Sequence, residues 1–379
     1  MKIVISMDSF KGSLSALEAG QAAREGILRV YPEADIEVSA LADGGEGTTR
    51  AIVGATGGRL TSVTVHDPLG RLITAEYGVI GKTKTVVMEM AEASGLTLLC
   101  EKERDPMRAS TFGFGEMLCD AIAGGYRDFV IGIGGSATND GGFGMLRALG
   151  FEFYGEDGAP IPLGAEGLRS LAYIETKNAM RELSECRFTV ACDVENPLCG
   201  ENGCSAVFAP QKGATPESVR LMDGWLSHYA ALTEKAVGKD FSAHEGSGAA
   251  GGLGFAFLAY LNAKLRSGAK TVMEATDLEN KIKNADVLIT GEGRLDFQSF
   301  MGKAPVEAAR LAKKYGKKVI ALAGSVSDSA VPAEDAVIDA FFPIVSGPCT
   351  LAEAMAKENA RRNMARTAEQ AFRLIKAFL

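Results

Sequence analysis

Three times in this chain an apolar strand runs straight into a glycine-bounded polar loop and then into a helix-like segment. The first is Lys2–Ser6, the loop Asp8-Ser9-Phe10-Lys11-Gly12, and a helix capped by Ser13 that runs to about Val30. The second is Ile36–Leu41, the loop Ala42-Asp43-Gly44-Gly45-Glu46-Gly47, and a helix opening near Thr48. The third is Ala285–Ile289, a loop reaching Gly302, and a helix from Pro305 to Lys314. Repeated strand–loop–helix units favour a parallel sheet with helices on its faces. Open sheets of this kind bind ligands at the carboxyl ends of their strands.

The third loop carries Glu292, Arg294, Asp296 and Gln298 between two glycine turns, which is poor core material. Pro305 is pre-organised for a first helical turn. Lys303 would therefore project where free backbone N–H groups also point, a place suited to phosphate. Lys11 stands in the matching position of the first loop. Asp8, Asp43, Glu46, Asp140, Asp193 and Asp296 all sit in Gly/Ser/Asn loops after strands. Taken singly, each is equally a cap or a turn residue. Converging on one crevice, they would supply the cations and carboxylates that phosphoryl transfer to a hydroxyl needs.

Between the chain ends the pattern changes. Leu60–Val65, Leu72–Ile80 and Thr85–Met90 are β-rich, with Asp67-Pro68-Leu69-Gly70 as a hairpin turn. Mixed α/β sequence follows: helices Thr111–Ala123, Gly142–Leu149, Pro216–Val237 and Gly252–Lys264, and strands Asp128–Ile133 and Arg187–Ala191. Clean alternation returns with strands Val287–Thr290, Lys318–Leu322 and Ala336–Phe342 and a helix Leu351–Phe378. The fold class expected is α/β. A discontinuous Rossmann-like parallel-sheet domain comes from residues 1–60 and 265–379, with a second mixed α/β domain, 61–264, inserted.

A net charge of -8 argues against nucleic acid as the main partner. The chain enters a strand at Lys2 with no signal-peptide pattern and has no run of about 18 apolar residues, so a cytoplasmic protein without a membrane span is expected. An odd number of cysteines, 7, without a C-x-x-C pair fits reduced thiols, and 3 histidines make a His-rich metal centre improbable. Gly132–Ala137 and Gly246–Gly251 satisfy loose dinucleotide patterns. The first continues into Thr138-Asn139-Asp140, too polar for that fingerprint, and a backbone nest for phosphate or carboxylate suits it better. The second opens a tightly packed helix. No Walker A motif exists, because Ala304 follows Gly302-Lys303 and Phe297 stands where Gly is required.

Seven long blocks, in order, make the chain resemble the type-1 glycerate kinase family over essentially its whole length. They are Ile3–Ala16, Leu41–Thr48, Gly132–Leu146, Ala191–Gly203, Phe208–Ala214, Gly246–Ala256 and Ile289–Pro305. The resemblance implies ATP-dependent phosphorylation of D-glycerate to 2-phosphoglycerate with Mg²⁺, on a two-domain α/β fold unrelated to P-loop or protein kinases. It also implies a place in glyoxylate, glucarate or galactarate breakdown. Met7, Cys204 and Ala209 depart from the family's usual Pro, Ala and Gly, which bears on loop rigidity and not on the chemistry.

The resemblance leaves open which carboxylate is the base, so roles come from loop chemistry. Lys11 and Lys303 are expected as electrostatic stabilisers, Asp296 as base or metal ligand, and Asp193 as a metal or acceptor-hydroxyl ligand. Asp8, Ser9, Asp43, Glu46, Ser136, Asn139, Asp140, Asn196, Glu292 and Arg294 are expected to bind substrate or phosphate in an interdomain cleft. The partners expected are the small molecules D-glycerate and MgATP, with a homodimer left open. Other readings also stay open: a kinase for another small hydroxy acid or sugar acid, a nicotinamide-dependent dehydrogenase, and a non-catalytic metabolite sensor.

Overall fold

A computed structural model describes residues 1–42, 44–45, 47–81, 83–300, 302–327 and 337–378. The chain divides into two compact units. The first comprises Met1–Asp43, Arg50–Gly57 and Gly268–Leu379, and the second Gly44–Thr49 and Gly58–Ser267. In chain order, β1 (Lys2–Met7) and β2 (Asp35–Ala40) belong to the first unit. The second holds β3 (Arg59–His66), β4 (Leu72–Ile80), β5 (Thr85–Glu89), β6 (Asp128–Gly132), β7 (Glu152–Tyr154), β8 (Tyr173–Glu175), β9 (Arg187–Ala191) and β10 (Lys264–Arg266). β11 (Val287–Leu295), β12 (Lys318–Val326) and β13 (Ala340–Pro343) return to the first.

The first unit is a five-stranded sheet in the order β13-β12-β11-β1-β2, parallel throughout. Alternate side chains of each strand go to opposite faces. Ile3, Ile5, Val287, Ile289, Ile320 and Leu322 pack with Ala22 and Ile27 of the helix Ala16–Leu28, and with Met364 and Phe372 of the helix Lys357–Phe378. Val4, Leu288, Val319 and Ala321 pack on the other face with Val306, Ala309 and Ala312 of the helix Ala304–Lys314. Burial on both faces is why these strands read as continuous apolar runs. Numbered within its own unit, the strand order is 2-1-3-4-5, a doubly wound sheet whose winding reverses between β1 and β11. The Rossmann-like expectation holds in that broad, doubly wound sense.

The second unit is built on a six-stranded mixed sheet, β10-β9-β6-β5-β4-β3. β3, β4 and β5 pair antiparallel, and β5, β6, β9 and β10 pair parallel. The β3–β4 hairpin closes on Asp67, whose Oδ1 accepts from Leu69 N and Arg71 N at 2.9 Å each. β7 and β8 form a separate two-stranded ribbon. Among the described residues, no helix is long and apolar enough to cross a membrane.

Several local expectations are corrected. The first helix is capped by Ser15, not Ser13: Ser15 Oγ accepts from Glu18 N at 3.3 Å, and the Glu18 carboxylate accepts from Ser15 N at 3.0 Å. β11 does not stop near Ile289 but runs through Glu292 and Arg294 to Leu295, because β12 pairs with it that far (Arg294 opposite Ser325). The expected helix Gly252–Lys264 is Ala249–Leu261, with left-handed backbone at Ala250–Gly252 and again at Asn262, which frees Lys264 for β10. The expected helix Leu351–Phe378 breaks at Ala356, which adopts ψ 124°, into Leu351–Met355 and Lys357–Phe378. β13 begins at Ala340, and Ala336, where it was expected to start, lies outside the described residues.

The helix Ala16–Leu28 meets the helix Lys357–Phe378 at Gly26, where a Cβ would stand 2.0 Å from the Ala365 carbonyl oxygen. Gly26→Val should therefore cost about 1–3 kcal/mol, read as a lower urea midpoint at unchanged m-value. Gly54→Ala, in the helix Thr48–Thr56 with its nearest neighbour at 3.9 Å, should instead gain up to about 1 kcal/mol. Equal effects at the two positions would contradict this account of the helix contact.

Candidate active site

In a 2-1-3-4-5 sheet the ligand crevice lies beyond the carboxyl ends of the strands flanking the reversal, here β1 and β11. A cavity of about 470 Å³ opens there, within the first unit and in the size range of small-molecule sites. The end of β1 delivers Asp8, Ser9, Phe10, Lys11 and Ser13 to it. β11 delivers Glu292, Gly293 and Arg294, and Lys303 enters from the start of the next helix.

The β1 loop is a tight one. Phe10 N donates to Leu14 O at 2.8 Å and Leu14 N to Phe10 O at 3.1 Å, with Gly12 at φ +75° making the turn. This leaves Lys11 exposed and Ser13 Oγ buried without a protein partner. Asp8 is nearly buried and accepts from Ser9 N at 2.6 Å.

Lys303 is the N-cap residue of the helix Ala304–Lys314, with Pro305 in its first turn. Its Nζ lies 3.5 Å from Glu292 Oε2. Glu292 is only 6% exposed, and its Oε1 is buried with no protein partner. Burial pushes the Glu292 carboxyl above its ordinary value, while Ser299 and Lys303 pull the other way. Arg294 is largely exposed, with Nε 3.5 Å from Asp296 Oδ2. Asp296 is fixed at its backbone, where its N donates to Ser299 Oγ at 3.1 Å.

In the second unit, Ser136, Thr138, Asn139 and Asp140 follow β6. Asp140 and Asn139 are both fully buried. Asp140 Oδ2 accepts from Thr111 N and Oγ1 at 2.9 Å each, and its Oδ1 from Gly142 N at 3.0 Å. The carboxylate therefore clasps the starts of the helices Phe112–Ala123 and Phe143–Ala148. Asn139 Nδ2 donates to Ser205 Oγ at 2.8 Å. Asn196 Nδ2 donates to Asn202 O at 2.9 Å, which makes it a turn-holding group, and Asp193 is exposed. Asp43 and Glu46 lie outside the described residues.

The sequence profile of the Glycerate kinase family matches residues 3–376. The chain belongs to that family. It is 46% identical to Glycerate kinase of Bacillus subtilis (strain 168) over 368 residues, covering 97% of this chain and 96% of that one. It is 44% identical to Glycerate 2-kinase of Escherichia coli (strain K12) over 372 residues, covering 97% and 98%. Among solved structures it is similar to the putative glycerate kinase 2 from Salmonella typhimurium LT2, with TM-score 0.90, 44% identity, and coverage of 100% of this chain and 98% of that one. Membership of this kinase family makes the protein an enzyme that transfers phosphoryl groups.

Two buried ionisable groups of this family member escaped the sequence reading. Lys212 is 2% exposed and donates to Ser136 Oγ and Thr138 O at 2.7 Å each, holding the loop after β6 from behind. Burial pushes its ammonium down to about 8, against the opposing influence of Cys204 and Asp140. Its one sequence signal was its place inside the block Phe208–Ala214. Glu89, at the end of β5, accepts from Gly47 N at 2.9 Å and Thr49 N at 2.6 Å, and burial raises it above the ordinary carboxylate range. A lone acid closing an apolar strand was the signal there.

The Glu292 geometry has a consequence for stability. A carboxyl whose folded pKa lies above its unfolded value destabilises the fold once pH exceeds both. Glu292→Gln should therefore melt higher than the parent at neutral pH, by about 0.5–2 kcal/mol. The gain should vanish as pH falls below the ordinary value of 4.5. Turnover should fall in the same variant. A variant less stable than the parent at neutral pH would show that the Lys303 contact outweighs the cost of burial.

Proposed function

We propose that this protein transfers the γ-phosphoryl group of ATP to D-glycerate, giving 2-phosphoglycerate and ADP, with Mg²⁺. The observation that carries the reading is the switch-point cavity of a glycerate kinase family chain. There a buried carboxylate, Glu292, keeps one oxygen without a protein partner beside the ammonium of Lys303. Glycerate kinase and glycerate 2-kinase are what its relatives are named, and the 2-position follows the second of these.

In the reaction the glycerate 2-hydroxyl oxygen forms a bond to the γ-phosphorus, and the bond from that phosphorus to the bridging oxygen of ADP breaks. The hydroxyl proton passes to a carboxylate. Lys303 and Lys11 neutralise charge on the moving phosphoryl group, since protonated lysines cannot serve as bases. Asp296, next to Arg294, acts as base or metal ligand. Asp193 acts as a metal or acceptor-hydroxyl ligand.

Among the described residues no group of three or more His, Cys, Asp or Glu is arranged to hold a metal ion. Mg²⁺ fits this chain all the same, because it is commonly held by one or two carboxylates together with substrate phosphates. The carboxylates of Glu292 and Asp8, two residues lining the cavity, suit that mode. When bound, the ion supplies further neutralisation of phosphate charge.

Purified protein given D-glycerate and MgATP should produce phosphoenolpyruvate as soon as enolase alone is added. A signal that needs phosphoglycerate mutase as well would make the product 3-phosphoglycerate and the regiochemistry wrong. No ADP release with glycerate would remove the reading altogether.

Lys303→Ala and Asp296→Asn should each lower kcat by about 10²–10³ while melting close to the parent temperature. A surface charge remote from the chemistry changes stability by less than about 0.5 kcal/mol and leaves the rate alone. Both variants turning over within a few-fold of the parent would make this loop scaffold.

A further inference from the structure

The lining of the switch-point cavity is of two chemical kinds. Lys11, Arg294 and Lys303 bring positive charge, with Glu292 beside Lys303. Phe10, Ile344, Val345, Leu351, Ala354 and Met355 form an apolar wall. D-glycerate has no apolar group to cover such a wall. A nucleoside triphosphate has a flat aromatic base and an anionic chain, so it has a partner for each kind of lining.

Three details point the same way. Leu351 is 75% exposed, a large apolar side chain left open at the cavity rim. Ser13, a lining residue, has a buried hydroxyl without a protein partner. The wall and the cationic loop are also held in register. A Cβ at Gly12 would stand 2.7 Å from Met355 Cε, so the Lys11 loop and the helix Leu351–Met355 are in direct contact. That short helix is set by a capping box in which Thr350 Oγ1 accepts from Glu353 N at 3.2 Å and the Glu353 carboxylate accepts from Thr350 N at 2.8 Å.

We propose that the donor nucleotide binds along this cavity, with its base on the wall formed by Ile344, Val345 and the helix Leu351–Met355 and its phosphates at Lys11 and Lys303. The assignment deepens the MgATP-dependent reading above. It places the donor, and not glycerate, on the apolar wall.

The test uses the full chain. Photolabelling with 2-azido-ATP and Mg²⁺, followed by peptide mapping, should place the label between residues 344 and 360. Ala354→Trp, which adds bulk at the apolar wall, should weaken ATP binding by about tenfold or more, measured by displacement of a fluorescent ATP analogue. Inorganic tripolyphosphate, which lacks the base, should change by less than about threefold, and so should the KM for glycerate.

Label elsewhere in the chain overturns the assignment. Equal loss of ATP and tripolyphosphate binding, or a raised KM for glycerate alone, does the same. Should Ala354→Trp not fold, Met355→Ala and the label position decide. Label at 344–360 without glycerate turnover would leave the nucleotide site standing and remove the proposed reaction. Normal turnover with label elsewhere would do the reverse.

Discussion

The reversal of winding between β1 and β11 is the constraint on which the first unit depends. From β1 the chain leaves to a helix on one face of the sheet, and from β11 to a helix on the other. Loops that depart in opposite directions cannot close over the strands between them, so a crevice is left at that point and at no other in such a sheet. Residues that end β1 and β11 must then face a void whatever their identity. What this chain places there is Asp8, Lys11, Glu292, Arg294 and Lys303, beside an apolar lining that includes Phe10, Ile344 and Met355. Topology creates the opening, and the polar residues at the strand ends give it a chemistry.

Most of the sheet framework was legible because burial on two faces writes continuous apolar runs, and a hairpin writes its turn. The misreadings share a cause. In sequence β11 ends at Ile289 because Gly291, Glu292 and Arg294 look like loop residues, yet β12 lies alongside to supply their partners. No local window contains that pairing. The cap was placed at Ser13, and Glu18, three residues beyond Ser15, is the feature that puts it at Ser15 instead.

The site shows the same limit. Lys11 and Lys303 were visible because each follows a strand and precedes a helix. Asp140 has the same local sequence character, but its partners come from Thr111, so it became an internal clasp. The apolar wall at Leu351–Met355 could not be read at all. It lies far along the chain from the loop it touches, and four of its five residues are apolar in a way common to any surface helix.

Glu292 illustrates how stability and chemistry pull apart. An ionised carboxylate removed from water costs free energy unless its oxygens are bonded, and here one oxygen is left without a protein partner. Lys303, at 3.5 Å and partly open to solvent, offsets part of that cost but is no substitute for a direct short bond. A folded core under selection for stability alone would place an apolar residue at this point. The arrangement makes sense if a ligand completes it.

Net charge pulls the other way. A protein at -8 repels a polyanionic nucleotide at long range. That repulsion is screened beyond roughly 8 Å at physiological ionic strength, so little of it survives to the mouth of the cavity. At the cavity itself, Lys11, Arg294 and Lys303 set a local positive charge beside walls built partly from Phe10, Ile344 and Met355. If the proposed donor site holds, the apolar wall offers a surface to a flat ring next to the cations that meet its phosphates. A local cationic field of this kind is compatible with an acidic surface, because the distances over which the two act do not overlap.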